Sequence, residues 1–532
     1  MSAKKTKALI LGAIVLCGVV SASARADQDP PEVRIGERLS LETRFSWFAY
    51  RHPHRADPVM EWTETTAGRI KGPFAGQAMN CRACHLVDEQ GGARGGGMRT
   101  YADFARRSPV TTRPDGERTS VRNAMQMVDI TVPGHGLFHY DGQFASLDDL
   151  VRATLTGRNY GWLPGEHGIA LRHIAAVIRR DDGRGPLAKE FGGAYEQVLT
   201  GTDRSIPADL RLPPAYRIDV DHASDAQIVD AVSRLIAAYV DNIRFARDAS
   251  GRHTGSPYDI FLKKYALPRA PRSDESALAY SRRLRAAVNR LRQPRFVGKG
   301  DGHFRHHKQA FAFGPRELAG LKIFFAESAP KKSSAIGNCI ACHVAPEFSD
   351  FRFHNTGVSQ LDYDDAHGTG SFAALSIPTL ARRERDYDAW LPPTPRHPHA
   401  SGRFRAVVAR NRPGDADLGL WNVYANPDMP APQHKLNHLL CAHACKPAAV
   451  LDRTIARFKT PILRDLGDSS PYMHSGRYDT LEETVRHYQV IAALARAGRV
   501  RNPAPELRHI HLGKGDVSAL AAFLRALNED YE

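Results

Sequence analysis

Apolar side chains recur at helical spacing in several stretches of the chain, and no long stretch alternates in the manner of a β-strand. One helical stretch runs from Ile228 to Ile243 and follows Ser224-Asp225-Ala226-Gln227, a capping box that predicts where the helix begins. Another closes the chain, between Val517 and Leu527. Loop-rich sequence separates these stretches. The pattern therefore predicts a mainly α fold with extensive loops.

Two segments share one order of signals: a glycine turn, a hydroxyl residue, acidic residues and an apolar run. Ser146 and Thr480 are the predicted N-caps, because a hydroxyl at that position accepts a hydrogen bond from the first turn. The acids that follow each cap favour the positive end of the helix dipole. This repetition predicts a duplicated chain with two similar units.

The first 26 residues have the parts of a secretory signal. Three lysines precede an apolar run at residues 8–20, and Ala24-Arg25-Ala26 forms a cleavage site with small residues at its ends. The run is shorter than the ~20 residues of a membrane-spanning helix, which favours cleavage over the alternative of an uncleaved anchor. We therefore expect a periplasmic mature chain that is soluble.

The formal charge of the chain is +15, and removing the four basic residues of the signal still leaves it strongly basic. Export argues against nucleic acid as the partner. A basic face for an acidic redox protein or for an anionic surface is the functional interpretation, and a merely solvated surface is the alternative.

Cys-x-x-Cys-His occurs twice, at residues 81–85 and 339–343. Two thiols at this spacing reach the two vinyl groups of one porphyrin, and the adjacent histidine is aimed at its iron. The motifs predict two covalently bound haem c groups, held by Cys81, Cys84 and His85 and by Cys339, Cys342 and His343. A redox dithiol and a zinc site are the alternatives.

Composition and motifs divide the chain into four parts. Residues 1–26 are the signal, 27–262 a first haem domain with a linking helix, 263–311 a basic interdomain segment, and 312–532 a second haem domain. We expect the basic segment to be exposed.

Three strings carry a specific resemblance: FKTPILRD at residues 458–465, PYMHSG at 471–476 and FHNTGV at 353–358. They resemble the second domain of bacterial di-haem cytochrome c peroxidases and MauG-like enzymes. The resemblance implies two cytochrome c-like domains in which the first haem reduces hydrogen peroxide. The second haem would receive electrons from a small donor, a c-type cytochrome or a cupredoxin. MauG-like oxidation of a partner protein's side chain and non-enzymatic electron carriage are the alternatives.

The resemblance also implies roles for single residues. Tyr488 stands fourteen residues after His474, where the peroxidases have a methionine ligand to the second iron. A phenolate there favours ferric iron, as in the MauG-like branch. Met473 is the rival ligand, and an ordinary packed tyrosine is a further alternative. His474 would tune the second site through a hydrogen bond, or merely cap a turn.

The first site departs further from the peroxidases. Tyr140 replaces their tryptophan, and the position of a distal glutamine is Leu150. Peroxide cleavage needs a proton-accepting group over the iron, and Glu166 is the predicted one, with a surface acid as the alternative. The resemblance also implies a calcium ion between the domains, with Asn123 as its side-chain ligand and main-chain oxygens near Ser469 and Pro471 contributing. An asparagine that merely caps a turn is the alternative.

Cys441 and Cys445 remain outside both haem motifs. A local disulfide fits an oxidising compartment. A third haem is disfavoured because Lys446 stands where the ligand histidine belongs. A soft-metal site that includes His443 is a third alternative.

Overall fold

The computed structural model describes residues 29–53, 79–81, 84–86, 99–100, 108, 110–304, 307–327, 335–441, 446–467 and 469–530. The predicted signal and Cys445 lie outside these residues. Helices dominate, which confirms the predicted mainly α class. Within the described ranges, no helix is long and apolar enough to span a membrane.

The first half of the chain contains seven helices in the described residues. They are α1 (Pro31–Ser40), α2 (Trp47–Arg51), α3 (Leu147–Leu155), α4 (His167–Arg179), α5 (Pro186–Glu190), α6 (Tyr195–Thr200) and α7 (Asp225–Asn242). One hydrophobic core joins them, from Val33 to Phe245. Two short strands, β1 (His85–Leu86) and β2 (Arg99–Thr100), pair antiparallel next to the first haem motif.

The second half carries the remaining described helices and two more short strands, β3 (Phe353–His354) and β4 (Phe458–Lys459), which pair antiparallel. The helices are α8 (Pro257–Lys264), α9 (Ala277–Asn289), α10 (Pro315–Phe324), α11 (Val358–His367), α12 (Ser371–Ala374), α13 (Leu380–Arg385), α14 (Tyr387–Trp390), α15 (Gln433–Leu440), α16 (Pro447–Leu451), α17 (Leu481–Arg496) and α18 (Asp516–Arg525). A second core runs from Tyr258 to Leu527.

Each half has one pair of helices that cross closely at a glycine. A Cβ at Gly36 would lie 2.1 Å from the Leu235 carbonyl oxygen, so α1 meets α7 backbone to backbone. In the second half, a Cβ at Gly320 would lie 1.9 Å from the Ala519 carbonyl oxygen, where α10 meets α18. The two contacting residues of the second crossing, Gly320 and Ala519, each lie 284 positions after their counterparts in the first (320 − 36 and 519 − 235). The crossings therefore support the predicted duplication.

The glycine turn before each capped helix is also the same in both halves. Phe138 bridges Phe144 in the first turn, and Tyr472 bridges Tyr478 in the second. Ser146 caps α3 and Thr480 caps α17, each through its hydroxyl, as predicted. The offset here is 334 positions (480 − 146), fifty more than at the helix crossings. Extra sequence therefore lies between α10 and this turn in the second half.

A third core occupies this extra sequence. Its buried residues lie between Phe353 and Ala456, with Leu137 added from the first half. Residues 395–450 contribute a large part of this core. The basic segment at 263–311 packs differently from a simple exposed linker, because Tyr280, Leu284 and Val288 lie in the second core. The domain boundaries stay predictions.

Candidate functional site

The second haem motif forms a tight turn whose histidine has one nitrogen already engaged. Residues Cys339–Ala341 form a short 3-10 helix, and His343 Nδ1 lies 2.8 Å from the Phe348 carbonyl oxygen. Since a carbonyl only accepts, Nδ1 carries the proton and Nε2 keeps its lone pair. Burial lowers the pKa of His343 to about 4 and raises that of the Cys339 thiol to about 12. The turn thus presents a neutral imidazole beside two protonated thiols.

Tyr488 faces this motif from α17. Burial raises the pKa of its phenol, and the charges of Cys342 and Cys339 raise it further. The phenol therefore lies close enough to both sulfur atoms to interact with them electrostatically. The neighbouring His487 points elsewhere, with Nε2 2.8 Å from the Thr356 carbonyl oxygen. Tyr488, the predicted ligand, thus lies near the predicted attachment cysteines.

A further group of potential ligands lies beside Cys342. Its thiol, His354 and Glu506 place one donor atom each within 4.8 Å of one another. His354 Nε2 also lies 2.8 Å from Asp350 Oδ2. Because Cys342 is the predicted attachment thiol, these groups border the predicted haem site.

The first motif is surrounded by buried groups in a similar way. Burial lowers the pKa of His85 to about 4, with the Met125 backbone opposing that shift, and raises that of the Cys84 thiol to about 11. Within the described part of the chain, His85 Nδ1 is buried and has no hydrogen-bond partner. Cys81 Sγ lies 3.6 Å from the hydroxyl of Tyr160.

Sequence reasoning missed Tyr160. Its phenol is buried, and burial together with the charges of Cys81 and Cys84 raises its pKa well above the ordinary value. The side chain stands to the first motif much as Tyr488 stands to the second. No sequence pattern indicates that Tyr160 lies beside the motif, because a tyrosine before the Gly161 turn is typical of an ordinary packed aromatic residue.

His474 lies at the contact between the two halves. Its ring stacks on Phe458, with centroids 3.5 Å apart, and meets the Tyr140 ring edge to face. The backbone N–H of Asn123 donates to the His474 carbonyl oxygen at 2.7 Å, and its side-chain amide donates to the Pro471 carbonyl oxygen. Asn123 Oδ1 is buried and has no hydrogen-bond partner among the described residues. The structure thus brings Asn123, His474 and Pro471 together.

Several known proteins are similar to this chain in sequence. No protein-family model matches the chain. The cytochrome-c peroxidase IdrP2 of Pseudomonas sp. (strain SCT) is 37% identical over 192 residues, 36% of this chain and 36% of the relative. The IdrP2 of Denitromonas iodatirespirans is 29% identical over 230 residues, 43% of this chain and 42% of the relative. Part of the chain is therefore similar in sequence to cytochrome c peroxidases.

The matches cover less than half the length of these peroxidases. Among solved structures, the di-haem peroxidase BthA of Burkholderia thailandensis E264 has a TM-score of 0.42 and 17% identity, and covers 94% of this chain and 86% of BthA. A MauG-like protein associated with microbial copper homeostasis has a TM-score of 0.44 and 16% identity, and covers 94% of this chain and 90% of that protein. The relatives confirm the resemblance inferred from the motifs.

In this relative of the peroxidases, Glu166 has the contacts of a capping residue. Its Oε1 accepts a hydrogen bond from Arg113 at 2.6 Å, and its Oε2 accepts one from the Leu163 N–H at 2.9 Å. Arg113 in turn stacks over the Trp47 ring. The contacts found for Glu166 therefore hold it at the start of α4, and a role over the first iron stays a prediction.

A buried charge network joins the two halves of this cytochrome c peroxidase relative. The Arg122 guanidinium pairs with Asp141 at 2.6 Å and, through two nitrogens, with Asp417 at 2.6 and 2.8 Å. Arg405 also approaches Asp141, at 3.2 Å. These partners hold the pKa values of both carboxyl groups below their usual range. Asp417 belongs to the inserted region, which explains why sequence reasoning missed the pairing.

A cleft of roughly 330 Å³ leads from solvent to this junction. His474 and Asp417 line its inner part, and Arg477 lies beside it with Asp362 and Asp365 as ion-pair partners, both at 2.6 Å. His474 therefore lies at the wall of a cleft with charged side chains.

Lys459 is buried close to the same junction. Its ammonium group donates to His135 Nε2 at 2.9 Å and to the Leu137 carbonyl oxygen at 2.8 Å. Burial lowers the pKa of Lys459 to about 7, with Asp141 opposing that shift, and the pKa of His135 falls to about 2 for the same reason. Neither group was singled out from the sequence, because burial of a lysine is not visible there.

Lys459 should make stability depend on pH. Between pH 7 and 10 the unfolded lysine binds a proton that the folded one has lost, so the free energy of unfolding rises with pH by up to about 1.4 kcal/mol per unit. Lys459→Met should flatten this slope, measured by urea unfolding at pH 7, 8 and 9. Lys322→Met, at an exposed position on α10, is the control. An unchanged slope in Lys459→Met would show that the lysine titrates normally.

Proposed function

We propose that the chain is an exported di-haem c-type cytochrome that reduces hydrogen peroxide at the first haem with electrons passed through the second. One observation carries the proposal. Two Cys-x-x-Cys-His sites, each with a neutral histidine and a nearby tyrosine, lie in the two halves of the chain, and these halves meet at a buried ion-pair junction. The sequence similarity to cytochrome c peroxidases supports the same chemistry.

The residues present fit two haem c groups. Cys81 and Cys84 would attach the first and Cys339 and Cys342 the second, because all four are free thiols. His343 offers the Nε2 lone pair to an iron, since its Nδ1 proton is engaged by Phe348. When bound, haem supplies an iron that changes oxidation state one electron at a time. Zinc is less suitable, because the two pairs of thiols lie in separate halves of the chain.

The two sites would be unequal because of the groups around them. Tyr488 is the proposed sixth ligand at the second site, where a phenolate stabilises the oxidised metal. Its position facing Cys342 and Cys339 favours this role. The same position supports the second candidate function, MauG-like oxidation of a partner protein. At the first site, Tyr160 or Glu166 would hold the proton that peroxide cleavage moves between oxygens.

Asn123 and His474 would stabilise the junction between the sites. The unpartnered Asn123 Oδ1 and the Pro471 carbonyl oxygen are hard oxygen donors of the kind that calcium prefers. We propose calcium there, with Asn123 as its side-chain ligand. His474, stacked on Phe458 beside Tyr140, would position the aromatic path that links the two sites.

Peroxide titration of the purified holoprotein tests the proposed activity. With ascorbate and a redox mediator as the electron source, peroxide should be consumed and the Soret band of one haem should shift. Consumption without release of an oxidised partner protein supports the peroxidase. Soret bands that stay unchanged in both the diferric and the diferrous protein would leave only an electron carrier.

A further inference from the structure

The positive charge of the chain is concentrated in one short segment. Residues 263–311 contain 13 lysines and arginines against three acidic residues, a net charge of +10 out of +15 for the whole chain. The predicted signal accounts for another four positive charges. The rest of the chain is therefore almost neutral. Its basic character belongs to this segment.

The segment is packed directly on the second haem motif. The inner face of α9 places Tyr280, Leu284 and Val288 in the same core as Ile340, which lies inside the motif. Ser281 Oγ accepts a hydrogen bond from the N–H of Ala345, two residues after His343, at 3.0 Å. Residues 290–299, which follow α9, stay against the same core, because Val297 is buried in it and Leu291 and Phe296 pack against it.

The outer surface carries charges that are not neutralised within the protein. Several basic residues of the segment are internally paired, as in Arg283 with Glu275 and Lys264 with Asp301. Four other basic residues are exposed and have no carboxylate partner among the described residues. They are Arg290, Arg292, Arg295 and Lys299. These four residues are called the basic patch.

We propose that the basic patch is the docking surface for an acidic electron-donor protein. The proposal rests on the proposed function, in which electrons enter at the second haem. Each reduced donor gives one electron and leaves oxidised, so two donors with two protons convert one hydrogen peroxide into two waters. Opposite charge steers such a donor to the surface next to the second site. Docking there shortens the distance that the electron crosses.

A charge-reversal variant of the holoprotein tests this surface. The patch variant combines Arg290→Glu, Arg292→Glu and Arg295→Glu. The control variant combines three substitutions at exposed positions of the first half, Arg172→Glu, Arg184→Glu and Lys189→Glu. Haem content and circular dichroism verify folding of both. The probe is a reduced acidic cupredoxin, mixed by stopped flow without peroxide, so that only electron transfer into the protein is observed.

The patch variant should slow second-order electron transfer by ~10-fold or more at low salt, while the control stays within ~2-fold of wild type. Raising the salt concentration should slow wild type and bring it toward the variant. Equal rates for wild type and patch variant would overturn the proposal. So would wild-type binding to vesicles of phosphatidylglycerol and phosphatidylcholine in equal parts with no binding of the cupredoxin, since the patch would then be a membrane contact.

Failure of the proposed function is distinguishable from failure of the docking surface. If peroxide is not consumed with ascorbate and mediator, the peroxidase proposal fails whatever the patch does. If peroxide is consumed but the patch variant accepts electrons from the cupredoxin like wild type, only the docking proposal fails.

Discussion

Replacing Cys339 and Cys342 by serine should reduce the proposed covalent haem from two groups to one per chain, as measured by pyridine haemochrome against protein concentration. Serine cannot form the thioether bonds that attach the porphyrin, and His343 alone holds a haem only reversibly. The second core should also lose stability, because Ile340 and Phe348 pack beside the attachment turn. We expect two unfolding transitions on heating, with the earlier one from the second half.

The matched control is the Cys81→Ser and Cys84→Ser variant, which should lose the other haem and leave the second spectrum in place. Cys441→Ser should keep both haems. Cys441 is disulfide-bonded, in agreement with the disulfide predicted from the sequence, and its partner lies outside the described residues. Two covalent haems in the Cys339 and Cys342 double variant would refute the proposed attachment.

If Tyr488 is the proposed ligand, Tyr488→Met should raise the reduction potential of the second haem by on the order of 100 mV and change its absorption spectrum. A thioether favours ferrous iron, whereas the phenolate that it replaces favours ferric iron. Burial and the nearby thiols raise the pKa of free Tyr488, so the phenolate needs a metal cation to form. Potentiometric titration followed by absorbance at both Soret maxima measures the shift.

Tyr265→Phe is the control for this substitution. The Tyr265 hydroxyl is buried and has no hydrogen-bond partner in the described part of the structure, so its removal should leave both potentials unchanged. If Tyr488→Met and Tyr488→Phe both retain the wild-type second-haem spectrum, Tyr488 is an ordinary packed aromatic residue. Met473 would then be the ligand to test next.

The repeated local signals were readable from the sequence because they act over a few residues. The caps at Ser146 and Thr480 depend on a hydroxyl and the turn that follows it, and both form as predicted. The capping box at Ser224 also forms. The spacing of each Cys-x-x-Cys-His motif predicts its chemistry for the same reason.

Other features depend on contacts across long sequence separations. Glu166 looked available for catalysis, yet it is bonded to Arg113, which lies 53 positions away. Arg122 pairs with Asp417 across 295 positions, and the two meet only because the inserted third core returns to the first half. No local pattern identifies such partners.

By itself, the sequence determined the helical class, the duplication and the two predicted haem motifs, since periodicity, capping and thiol spacing are local properties of the chain. Only the tertiary structure decided which side chains surround those motifs. It placed Tyr160 beside Cys81, turned Tyr488 toward Cys342 and packed the basic segment on the second site. Burial and proximity result from the packing of distant segments, and they set both the charge state and the neighbours of each group.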